Sequence, residues 1–183
     1  MIWLILGVLL WCGTHLLKRL APALRRSLGD SGRGLVAAGS AIGLVLMIIG
    51  YRMADPTFLW VLPSWSLHLN NLLMVVAVLL FGLSHAKSRL RAKIRHPMLL
   101  SVAVWSAAHL LVNGDLPSLV LFGSLGIWAV LEIVLINRAQ PRYTPPAKLS
   151  PRGDLIWIAA SVVMFAVIGF LHGLVGPSPF PGA

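Results

Sequence analysis

The sequence predicts an all-α, polytopic membrane bundle of six transmembrane helices with both termini on the non-cytoplasmic side. Three observations predict it. Hydrophobic residues fill 58% of the 183 positions and charged ones only 11%, with a mean hydropathy of +0.87. So few charges cannot coat a water-facing surface. Six apolar stretches approach the ~20 residues that a helix needs to cross a hydrocarbon core. The basic residues gather in alternate connections between those stretches, as they do in multi-pass proteins. Composition therefore excludes a soluble enzyme, a disordered tail and a disulfide scaffold.

The apolar stretches run over about 2–17, 34–51, 66–85, 97–112, 116–136 and 155–175, making one transmembrane domain of residues 1–183. Helices are expected because an open strand edge finds no partner in lipid, and no alternating pattern supports a barrel. The first stretch has no basic residue ahead of its apolar core and no small-x-small site, so it reads as a membrane anchor. Its Cys12 is the single cysteine of the chain, which leaves no disulfide and no CxxC pair. Pro56 and Pro63 break the second connection, where Trp60 and Trp65 suit the headgroup belt. The fourth stretch is short and spans only with little tilt and with His109 included. After it, Asn113-Gly114-Asp115-Leu116-Pro117 reads as a tight turn in which Asp115 caps the fifth helix. A Pro-rich linker follows at 141–151, and the alternating prolines of Gly176 to Pro181 predict a non-helical tail along the outer surface. Gly39-x-x-x-Gly43 and Gly169-x-x-x-Gly173 offer small faces for close helix packing.

Net charge is +10, and fourteen of the fifteen Lys and Arg lie in the first, third and fifth connections, leaving only Arg52 on the other side. The positive-inside rule then puts those three loops in the cytoplasm. The partner implied is the lipid bilayer with its anionic headgroups, not nucleic acid. In a bacterium this is the inner membrane, with the termini in the periplasm.

Polar residues inside apolar runs carry the most information, because placing them there is costly. His15, His85 and His96 fall toward the cytoplasmic ends of their helices, and His68, His109 and His172 toward the outer ends. Glu132 is the one acid within a span. No paired carboxylates, HExxH, Ser-His-Asp grouping or Walker loop is present, so hydrolysis has almost nothing to work with. Histidines without carboxylate neighbours suit the iron of a noncovalent haem b held between two neutral imidazoles. Trp11 and His15 are four apart and share a helix face, as do Trp105 and His109. Cys12, three before His15, stands close enough to approach the same metal. The plainer alternative is that each histidine bonds a backbone carbonyl or sits in the interface.

Arg95-His96-Pro97-Met98-Leu99-Leu100, then Trp105-Ser106-Ala107-Ala108-His109-Leu110-Leu111-Val112-Asn113-Gly114-Asp115, then Ser118 and Leu121-Phe122-Gly123, resemble the NnrU family of bacterial membrane proteins. His15 before a Leu-Arg-rich segment, Tyr51 closing the second helix and His172-x-x-x-Gly176 extend the likeness along the chain. The resemblance implies a part in denitrification, supporting nitrite and nitric oxide reduction, with reductase components as candidate partners. The family is related to zeta-carotene isomerase, a haem b membrane enzyme, whose proposed haem ligands fall at His15 and His109 here. The cysteine that precedes its second histidine by three is Ser106 in this chain.

On the expected topology His15 and His109 differ in depth by roughly 10–15 Å at ~1.5 Å per residue. Axial nitrogens on one iron approach within about 4 Å, given metal–nitrogen bonds near 2 Å. The outer trio His68, His109 and His172 and the inner pair His15 and His85 therefore stand as alternative ligand sets. Arg95-His96-Pro97 also resembles an element of membrane methyltransferases, which implies a polar cytoplasmic pocket of Arg95, His96 and Glu132. That makes a transferase or isomerase acting on a lipid-soluble substrate the alternative function, with a structural partner of a reductase complex as a third.

Overall fold

The computed structural model describes residues 1–61, 63–176 and 178–179. The expectations for Leu62, for Pro177 and for the tail from Phe180 onward lie outside them. The chain forms α1 (Ile2–Leu20), a short α2 (Pro22–Ser27), α3 (Ser31–Met53), α4 (Ser66–His85), α5 (Pro97–Leu110), α6 (Leu116–Ala139) and α7 (Pro151–Val175). Five of these, α1, α3, α4, α6 and α7, are long and apolar enough to cross a membrane. The fourth stretch of the sequence is shorter than expected: α5 has 14 residues, about 21 Å at 1.5 Å per residue, against a ~30 Å hydrocarbon core. Pro97 sets its first turn, and Asn113-Gly114 follow its end. Conversely α1 runs three residues past its expected end, because Lys18 and Arg19 complement the carbonyl end of a helix.

Packing makes an arc in the order α3–α1–α6–α5–α4–α7. In lipid there is no hydrophobic force between helices, so close approach of backbones has to supply the attraction. The α1–α3 seam does this through Gly7, Gly43 and Gly50. A Cβ on Gly7 would stand 2.6 Å from the Met47 nitrogen, and one on Gly43 3.0 Å from the Gly7 carbonyl. Gly39 belongs to the same face, against Thr14. Gly173, by contrast, meets Ser178 of the C-terminal segment at 3.9 Å and no other helix.

Connections pair in two sets. The segment before α4 folds over the α5–α6 turn: the amides of Leu59 and Trp60 donate to the Gly114 carbonyl at 2.7 and 3.2 Å, and that of Leu116 to Thr57 at 2.8 Å. At the opposite end the amide of Ser150 donates to the Lys87 carbonyl at 3.0 Å, Tyr143 to Arg91 and Arg95 to Gln140. Asp154 in the first turn of α7 accepts from Ser88 Oγ and from the Arg89 amide and guanidinium at 2.7–2.8 Å. Short as it is, α5 joins one set to the other.

Gly114 is where the segment before α4 meets the turn, and a Cβ there would collide with the Trp60 carbonyl. Gly114→Val is expected to unseat residues 54–61 at a cost of about 1–3 kcal/mol. Limited proteolysis checks it: cleavage in that segment should accelerate while the rest of the chain stays intact.

Candidate functional site

Asp115 caps α6 as the turn chemistry predicts. Its carboxylate accepts from the Ser118 amide at 2.8 Å and from Ser118 Oγ at 2.9 Å. Tyr51 at the end of α3 meets the same hydroxyl at 2.8 Å, and the next five residues, Leu119–Gly123, widen into a π-helical segment. Such segments re-aim side chains and occur often at functional sites. Here Phe122 is turned onto the imidazole of His109, stacked at 4.5 Å and 25°. The π-segment carries no recognisable sequence signal.

His15 and His109 are held alike. The Nδ1 of each bonds the carbonyl of the tryptophan four residues before it, Trp11 at 2.8 Å and Trp105 at 2.9 Å. A carbonyl only accepts, so the proton in each neutral ring is on Nδ1 and the lone pair on Nε2. That bond satisfies the ring's single donor, and it also fixes the tautomer that a metal ligand needs. The same tryptophans pack on the imidazoles, at 4.3 Å for His15 and 4.9 Å for His109. Across the seams, Trp128 meets His15 edge-on at 5.1 Å and Trp11 at 5.9 Å.

Helix direction bears on the depth difference between them. Arg19, four residues past His15, pairs with Glu132, four past Trp128, at 3.6 Å, so α1 runs parallel to α6. The tight turn makes α5 antiparallel to both. A side chain leans toward the N-terminus of its own helix, so His15 and His109 lean toward each other in depth. Their contacts on α6, Trp128 and Phe122, are six residues apart, about 9 Å along the axis. Between these levels lies a cavity of about 320 Å³ lined by Trp11, Trp105, Trp128, Leu125 and Met74 among others. The indole Nε1 atoms of Trp11 and Trp128 and the hydroxyl of Ser106 are buried without a partner among the described residues. Cys12 is half-buried beside the same core cluster.

A family model described as NnrU protein matches residues 3–179. The chain belongs to the NnrU family. No curated protein and no solved structure matches it. The stretch that carries the resemblance in this NnrU chain, from Arg95 to Gly123, is α5, the capped turn and the π-segment, the parts that set His109.

The remaining candidates are dispersed. His96 shares a 2.8 Å bond between its Nε2 and Asn137 Oδ1. Arg95 engages the Gln140 carbonyl and lies over the Tyr143 ring. Glu132, with its side chain 8% exposed, is bound by Arg19 from α1 instead. His172 lies in the last turn of α7, whereas His68 is exposed in the first turn of α4. His85 is exposed on α4 beside Phe81, facing α7, and away from the α1–α6 seam that holds His15. Among the described residues, no group of three or more His, Cys, Asp or Glu gathers as a metal site. Arg19 as the partner of Glu132 is not visible in the sequence, where the apolar run stops at Leu17 and Lys18-Arg19 read as loop.

Proposed function

We propose that the protein works in bacterial nitrogen-oxide metabolism, supporting nitrite and nitric oxide reduction, as an inner-membrane protein that holds haem b between His15 and His109. The observation that carries this reading is the repeated Trp-x-x-x-His arrangement, in which both imidazoles keep Nδ1–H on a carbonyl and Nε2 as a ligand nitrogen. Membership of the NnrU family supports the metabolic setting. The donor chemistry suits the group: two imidazoles with Nε2 lone pairs lean toward a common level beside an apolar, tryptophan-lined cavity whose lining includes neither ring, so haem would have to open the space between them. Haem held there supplies a redox-active iron with affinity for diatomic gases. Trp11 and Trp105 orient the two rings, and Phe122 packs on the second.

In this reading all six apolar stretches, the short α5 included, cross the membrane, both termini lie outside, and the reductase components are reached from the periplasmic side or within the bilayer. The pairing of the connections into two sets supports α5 as a crossing, and the alternate-loop cations support the orientation.

An absorption spectrum tests the site. Full-length protein purified in detergent after haem supplementation is expected to show a Soret band, with a sharpened α band on reduction. His15→Ala and His109→Ala are each expected to lower haem retention by at least about tenfold. A wild-type protein with no Soret band overturns the cofactor. Full haem retention in both single variants overturns this pair.

A further inference from the structure

Between α4 and α7, at the end that carries the basic loops, lies a groove of about 580 Å³ whose basic end is apart from the histidine site. Small residues line it, and its glycines let the elements on its two sides touch at the floor. Gly82, Ala86, Gly153 and Ala160 line it, and a Cβ on Gly82 or Gly153 would collide with Ser161 Oγ or the Lys87 carbonyl. Trp157 forms one wall and is pinned by its Nε1–H to the Leu79 carbonyl at 2.8 Å. Ser161, 2% exposed, lines the groove with a hydroxyl that has no partner among the described residues.

The groove is polarised. Lys87, Arg152 and His85 stand exposed at its basic end, and its lining contains no acid. Asp154, the acid nearest in sequence, is turned into its clamp with Ser88 and Arg89. At the other end Phe81 and Met164 also line the tryptophan cavity, so one apolar track leads from the cationic rim to the bundle interior. From His85 to Met74 this track covers about 16 Å at 1.5 Å per residue. That is the depth of one leaflet of a ~30 Å core.

We propose that this groove binds one anionic phospholipid, with its phosphate between Lys87 and Arg152 and an acyl chain along Phe81 and Met164 toward the tryptophans. Cations between helices at the cytoplasmic surface are how membrane proteins hold acidic headgroups. The cationic headgroup end lies apart from the histidines, only the acyl end shares Phe81 and Met164 with the tryptophan cavity, and a protein without a Soret band can still show lipid binding.

Native mass spectrometry of the full chain in neutral detergent, titrated with phosphatidylglycerol or phosphatidylcholine, is the test. One phosphatidylglycerol per chain should be retained, with phosphatidylcholine at least about tenfold weaker. Lys87→Gln with Arg152→Gln should bring the two lipids level, whereas Arg25→Gln with Arg26→Gln, equal in charge but outside the groove, should not. Ala160→Trp, at an exposed groove position, should displace the lipid with every charge in place. Equal binding of both lipids by the wild type overturns the proposal, as does equal loss in both double variants. Lipid retained by Ala160→Trp overturns it too. A dimer that Ala160→Trp converts to monomer without losing lipid gives the groove to a second copy and overturns it as well.

Discussion

Gly50→Leu is expected to abolish the folded protein in detergent. A Cβ at this position already falls 2.6 Å from the Leu4 Cα and 2.7 Å from the Trp3 carbonyl carbon, and closer still to the Leu4 amide nitrogen. These are backbone atoms of α1, which cannot rotate away as a side chain can. Leucine adds three more carbons where the two helices touch, so α1 and α3 must part along the seam that Gly7 and Gly43 also build. Overpacking a core costs about 1–3 kcal/mol where side chains can shift, and more is expected here. Size-exclusion chromatography should show the monodisperse peak lost, with Gly50→Ala intermediate. Gly13→Ala is the control: nothing lies within 4 Å of that Cβ, and alanine is favoured over glycine in a helix by about 1 kcal/mol. An unchanged melting temperature for Gly50→Leu would contradict the packing described.

Arg19→Leu should be the second costly change. Glu132 has a side chain only 8% exposed and Arg19 22%, with 3.6 Å between nitrogen and oxygen. Removing the guanidinium leaves a carboxylate in the bundle without its cation. Breaking a buried pair in this way costs about 3–5 kcal/mol, and the lower end applies because Arg19 keeps some access to water. Replacing both partners, Arg19→Leu with Glu132→Leu, should recover most of the loss, since well-packed apolar residues often match a buried pair. Thermal unfolding of the two single variants and the double variant completes the cycle. Strict additivity of the three values would show that the charges do not interact.

Helix existence was legible because each apolar run is long and the charges between them are dense: Lys87 to Arg95 holds five cations in nine residues. The Asp115 cap was legible too, since the Asn-Gly-Asp turn and the following proline carry their own local chemistry. Helix ends were not. Lys18 and Arg19 look like the start of a loop, yet Arg19 is drawn into the bundle by Glu132, a partner 113 positions away by number. The neighbour order was illegible for the same reason, because apolar faces that meet lipid and those that meet protein share one composition. At the candidate site, the spacing of Trp11 to His15 and Trp105 to His109 revealed that each pair shares a face. It did not reveal that antiparallel helices make the two side chains lean toward a common depth, which is a property of direction, not of distance along the axis. Phe122 over His109 depends on one extra residue in a helical turn, and no side-chain pattern announces that.

The arc order has a consequence for biogenesis. α1 with α3, and α4 with α5 and α6, are hairpin groups of consecutive segments, whereas the α1–α6 seam joins the two groups. Leaving the ribosome in sequence, the first hairpin enters the bilayer with its tryptophan and histidine unmatched, and it waits until residue 139 has been synthesised before α6 can dock. The surroundings of His15 are thus completed only in a late assembly step, when Trp128 of α6 docks against it, and not in the nascent hairpin.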